Sequence, residues 1–212
     1  MNQNQIYLLI FLLLGLVYMF GRLLETKEIK AHANSLNTYL DNLGFTPTRI
    51  SATLLYVNKR YASMYSQATI NALSLDKTQY HGPNLWLPLI GVFMDTKKKV
   101  FAIRSDKNET IPKVYSFSQL QDFEVSQDVR EGMRGAVYSH GITIGFGGTL
   151  KGSLSMRVVF SGINGPESVT LQPAIVNSIQ AKRININSRI YKQKLGQLTE
   201  IADCLLWIYN NA

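Results

Sequence analysis

Cysteine is nearly missing from this chain: Cys204 is the only one in 212 residues. An internal disulfide framework is therefore excluded, and a lone cysteine agrees with a reducing compartment. Histidine is almost as scarce. His32, His81 and His140 lie far apart and form no metal-ligand spacing, so no metal site is expected and each is read as a surface or loop residue. No basic or histidine cluster lies near Cys204 in sequence, which points to a buried thiol rather than a nucleophile. The G-x-S-x-G elbow of serine hydrolases is also missing.

Charge is missing from one region altogether. Only 17% of residues are charged, and none of them precedes Arg22. Residues 6–21, IYLLIFLLLGLVYMFG, would rise about 24 Å as a helix, and Leu23 and Leu24 bring the run near the roughly 30 Å of a bilayer core. The leading MNQNQ has no basic residue, no small-x-small cleavage site follows the run, and no lipidation cysteine lies near it. An uncleaved transmembrane anchor over residues 1–24 is expected. Arg22, Lys27 and Lys30 flank it on the C-terminal side only. By the positive-inside tendency the N-terminus is then outside a cell membrane and the rest cytoplasmic.

The glycines pose the sharpest chemical question, because five of the fifteen fall in SHGITIGFGGTLKG, residues 139–152. A phosphate-binding loop needs a lysine after its last glycine and a helix to follow. Here Lys151 precedes Gly152, and an alternating strand pattern follows. A dinucleotide fingerprint fails too, because its third glycine would fall at Leu150. The stretch is expected to be a hairpin connection with Gly147 and Gly148 at its turn. No catalytic residue and no cofactor is assigned.

Downstream of the anchor, Ile29, Ala33, Leu36, Leu40 and Leu43 form one helical stripe, ended by Gly44 and Pro47. It serves either self-association or docking on the chain's own domain, and docking is favoured because two heptads make a poor coiled coil. Residues 25–84 are read as a helical stalk and connector, with SATLLYV a possible strand. Residues 85–212 then alternate as strands: LWLPLIGVFMD and KKVFAIRSD around DTKKK, then KVYSFSQLQDFEVSQD, GAVYSHGITIGFG, LSMRVVFSG and SVTLQPAIV. The end is helical, with Tyr191, Leu195, Leu198, Ala202, Leu205 and Tyr209 as its stripe, widened by Ile201 and Ile208.

The fold class is thus α+β: a transmembrane helix and helical stalk, then an antiparallel sheet or barrel closed by a C-terminal helix. VFMDTKKKVFAI, VYSFSQLQDFEV, the glycine-rich stretch and the IYKQKLGQLTEIADCLLWI helix resemble uncharacterised bacterial membrane-anchored proteins with a pleckstrin-homology-like (PH-like) domain, over residues 90–209. By layout alone, an anchor on a compact basic domain is also similar to prophage superinfection-exclusion proteins. The first resemblance carries no catalytic residues over, and the chain is read as a non-catalytic binding or adaptor protein; the second implies a factor that blocks phage DNA entry. An enzyme with an unrecognised site is a third reading.

The partners expected are anionic inner-leaflet lipids and a protein of unknown identity, with homo-oligomerisation left open. The net charge of +8 is spread along the chain, so no specific nucleic acid is expected. Lys97, Lys98 and Lys99 are the candidate lipid contacts, with a plain solvated turn as the slightly favoured alternative.

Overall fold

The computed structural model describes residues 3–66, 69–71, 84–131, 135–139, 142–146, 150–162, 165–173 and 184–212. It opens with α1 (Gln3–Asp41), one unbroken helix of 39 residues. No proline interrupts it, and Gly44, in the left-handed conformation at φ 73°, ends the chain's helical path. The two halves of α1 have opposite surroundings. From Ile6 to Leu24 the described large apolar side chains are exposed, Phe11 by 76%, and the helix is long and apolar enough to cross a membrane. Farther on, Ala33, Leu36 and Tyr39 are fully buried and Leu43 nearly so. The stripe docks on the chain's own sheet, with Tyr39 at its centre and Ile29 and Leu40 at its margins.

That sheet begins sooner than expected. β1 (Arg49–Asn58) pairs antiparallel with β2 (Asn84–Asp95), from Arg49 opposite Met94 to Asn58 opposite Asn84. A boundary between residues 84 and 85 would split this ladder, so the stalk stops at Asp41 and SATLLYV belongs to the folded unit. β3 (Val100–Arg104) and β4 (Val114–Ser116) complete a four-stranded antiparallel meander, β1-β2-β3-β4. Alternation along the strands serves two cores. Ile50, Ala52, Leu87, Phe93 and Ala102 face α1. Ile90, Val92, Met94, Phe101 and Ile103 join the second core on the other face.

The second core is covered by β5 (Leu120–Glu131), β8 (Leu150–Gly162) and β9 (Gly165–Leu171), with short β10 (Ile184–Asn185) beside the start of β8. Met156, Val158, Phe160 and Leu171 point into it. Among the described residues no pairing joins the two sheets, so the barrel is not closed. Across the core lies α2 (Arg189–Asn210), whose N-cap Ser188 accepts the Tyr191 amide. Its buried stripe is Tyr191, Lys194, Leu198, Ile201, Leu205 and Ile208, with Cys204 beside it. Relative to the expected stripe the helix is turned slightly: Leu195 is half-buried and Tyr209 is 53% exposed.

Within the glycine-rich stretch lies β7 (Ile142–Phe146), which pairs with β6 (Gly135–Ser139) just before it. Gly147, Gly148 and His140 lie outside the described residues, as does His81. The strands on either side of Gly147–Gly148 belong to different ladders, β7 with β6 and β8 with β5. The expected hairpin between them is therefore replaced by a hairpin inserted between β5 and β8. Gly152 has a packing role: a Cβ there would lie 2.8 Å from the Tyr191 ring. The bare backbone lets that ring lie on β8, where its hydroxyl donates to Gln127 Oε1 at 3.2 Å.

Candidate functional site

The functional surfaces are best read along α1. Near the end of the apolar run, Arg22 Nε donates to the Tyr18 hydroxyl at 2.8 Å, and the guanidinium stacks 5.0 Å from the ring centroid. Tyrosine and arginine one turn apart suit the bilayer interface, where an aromatic body and a charged head both find favourable surroundings. Lys27 and Lys30 are exposed on the next turns. Arg60, on the 3-10 turn Lys59–Met64, reaches Glu25 at 3.3 Å and stacks 4.4 Å over its neighbour Tyr61. This end of the sheet is therefore seated against the first turns of α1 beyond the apolar run.

The next layer is a buried polar junction. Pro88 cannot donate to a strand ladder, and β2 accommodates it at a register shift opposite Thr53/Leu54. Arg104 fills the demand of the carbonyls around that bulge. Its Nη1 donates to the Pro88 and Leu89 carbonyls at 3.1 and 3.0 Å. Its Nη2 donates to Ser35 Oγ of α1 at 2.9 Å and to the Lys107 carbonyl, and Nε reaches the Glu109 carbonyl at 3.4 Å. The guanidinium lies 5.6 Å from the Tyr39 ring centroid. No carboxylate oxygen is among these acceptors; the Glu109 carboxylate holds the Ser105 amide at 2.7 Å instead.

Burial lowers Arg104 to about 10, partly offset by the charges around it, so it stays protonated at neutral pH. His32 is buried here too, contrary to its expected surface position, with Nδ1 3.3 Å from the Tyr65 hydroxyl. Burial and then the Arg104 charge hold it down to about 4, which keeps it neutral. Asn37 completes the stitching. Its Nδ2 donates to the Met64 carbonyl at 3.1 Å, and its Oδ1 accepts from the Ser66 amide at 2.9 Å and Thr69 Oγ1 at 2.6 Å. Burial also raises the Cys204 thiol to about 12, consistent with an inert core position.

The lysine turn lies at the other end. Thr48, just past the end of α1, donates its amide to the Met94 carbonyl at 2.8 Å, and its Oγ1 accepts the Thr96 amide at 3.0 Å. Asp95 is buried, and its Oδ1 accepts the amides of Lys97 and Lys98 at 2.9 and 3.2 Å. Lys99 takes the left-handed conformation at φ 52°, and its carbonyl accepts the Phe117 amide at 3.0 Å. All three lysine side chains are exposed. From Glu25 to Asp41 the helix rises about 24 Å, so Arg22, Lys27 and Lys30 are at one end and Lys97, Lys98 and Lys99 at the other. The two basic sets do not form one surface.

Among the described residues no group of three or more metal-ligating side chains comes together. Comparison with protein-family models, curated proteins and solved structures returned no match. Arg104 and His32 were not legible as a pair, because their meeting depends on a helix docking on a bulged strand. The only sequence hint was Pro88 inside an otherwise regular strand.

Proposed function

We propose that this chain is a non-catalytic, single-pass membrane protein that holds a binding domain at a fixed height above the cytoplasmic face of the cell membrane. One observation carries the reading: α1 runs without a break from its exposed apolar half into the domain core, where Ala33, Leu36 and Tyr39 are fully buried. There is no flexible linker between bilayer and sheet, so the anchor sets where the domain stands. The order of four meandering strands, a second sheet of β5, β8 and β9, and a closing helix supports a PH-like domain. Arg22, Lys27 and Lys30 then meet the anionic inner leaflet, at about 1 kcal/mol per well-placed cation.

Lys97, Lys98 and Lys99 are better suited to a cytoplasmic partner than to lipid. A separation of about 24 Å along α1 is about three Debye lengths at physiological salt, and attraction to the leaflet is screened over that distance. Proteolysis of sealed membrane vesicles tests this reading. The domain should be cut only in inverted vesicles, and residues 26–48 should resist cleavage. Ready cutting inside that helix, or cutting in right-side-out vesicles, would refute it.

A further inference from the structure

We propose that the membrane-distal turn, Lys97, Lys98 and Lys99 with Arg49 beside it, is the docking site for a short acidic segment of a partner protein. The proposal rests on the anchored-module reading and adds the chemistry of what the module binds. Arg49 is exposed at the start of β1, next to Thr48, whose side chain bonds to the Thr96 amide; it shares the Met94 face of the sheet and flanks the turn. Among the described residues no ion pair is seen at Arg49, Lys97, Lys98 or Lys99, unlike Arg60 with Glu25 and Lys113 with Glu167. The nearby carboxylate of Asp95 is turned inward and occupied by two backbone amides. The surface therefore offers positive charge with little internal compensation.

The turn is also preorganised. Its backbone is held at four points, by Asp95 at Lys97 and Lys98, by Thr48 at Thr96, and by Phe117 at Lys99. Lysine occupies the left-handed position, where glycine or asparagine is the low-strain choice. A cation kept at a conformational cost, on a turn already held in place, is the arrangement expected of a binding surface. Its size selects the partner. Binding to a nucleic-acid backbone draws on a track of about 6–10 phosphate contacts. Three lysines at one hairpin tip, flanked by Arg49 on the neighbouring strand, instead match two to four carboxylates on a single strand or turn.

The test uses the full chain in nanodiscs of zwitterionic lipid, a fluorescent oligoglutamate peptide as probe, and anisotropy as readout. Binding should weaken about tenfold or more when Arg49, Lys97, Lys98 and Lys99 are all changed to Gln. It should be unchanged by Lys27→Gln with Lys30→Gln. A Lys99→Gly variant, which relaxes the turn while removing a charge, should bind more weakly yet melt at a higher temperature; this separates loss of charge from loss of fold. Equal binding by the fourfold variant overturns the proposal, as does tighter binding of an RNA oligonucleotide than of the peptide at the same sites. Carbonate extraction of the same preparation reports separately on the anchor. Release of the chain would refute the anchored-module reading whatever the peptide does.

Discussion

Ser35 of α1 accepts a hydrogen bond from Arg104 of the sheet at 2.9 Å, in a site where Arg104 is fully buried and hydrogen-bonds to no carboxylate. The guanidinium is shared among α1, the β2 bulge and the loop after β3, so this one residue ties α1 to the sheet. Arg104→Ala would take a charged donor from the buried Pro88 and Leu89 carbonyls, while Ser35 would keep its bond to the Glu109 carbonyl. A loss of about 3–5 kcal/mol is expected, while Arg104→Met, which refills the volume, should cost less. Chemical denaturation in detergent measures both. Equal stability of Arg104→Ala and the parent chain would contradict the junction.

His32 makes the same interface acid-sensitive. Its folded value of about 4 lies below the ordinary 6.5, so the unfolded chain binds the proton more readily. The stabilisation is present above about pH 6.5 and is lost as pH falls from there through 4, amounting to about 3 kcal/mol when complete. Melting temperature followed across that range should fall, and His32→Phe should flatten this part of the profile. A parent chain with constant stability between pH 6.5 and 4 would contradict burial of a neutral histidine.

Gly91 allows β1 and β2 to approach closely: a Cβ there would lie 2.5 Å from the Ala52 Cα. Backbone cannot yield as a side-chain tip can, so Gly91→Ala should cost several kcal/mol, on the order of 3. Gly196→Ala is the control. Nothing lies within 4 Å of that position, and relief of a helical glycine should gain about 1 kcal/mol. Thermal melts of the two variants should move in opposite directions.

The lysine turn has its own pair of tests. Lys99→Gly should stabilise by about 1 kcal/mol through relief of the left-handed conformation. Asp95→Ala should destabilise by about 1–3 kcal/mol, because two turn amides lose their acceptor. Denaturation midpoints check both, and a destabilising Lys99→Gly would show that the lysine side chain itself supports the turn.

Particular residues show what was legible in the sequence and what was not. The apolar run before Arg22, the stripe through Ala33, Leu36 and Leu43, the β2–β3 hairpin around DTKKK and the final helix follow from local periodicity, and all are present. β1 was less visible. SATLLYV mixes strand and helix formers, and its partner β2 begins 26 residues after β1 ends, at Asn84. The glycine-rich stretch gave up its alternation but not its pairing, since β7 and β8 are neighbours in sequence and pair with different strands. The Arg104 junction was invisible. Neither Ser35 nor Tyr39 stands out in sequence, and only docking of α1 on the bulge at Pro88 brings them to the guanidinium.

The central claim is that a rigid helix holds the lysine turn away from the bilayer. Spin labels at Lys27→Cys and Lys98→Cys, in full-length protein in nanodiscs, measure this directly, because buried Cys204 should stay unlabelled. A nickel chelate carried on lipid headgroups should relax the label at position 27 strongly and the label at position 98 weakly. Equal relaxation at the two positions, or stronger relaxation at 98, would contradict the account.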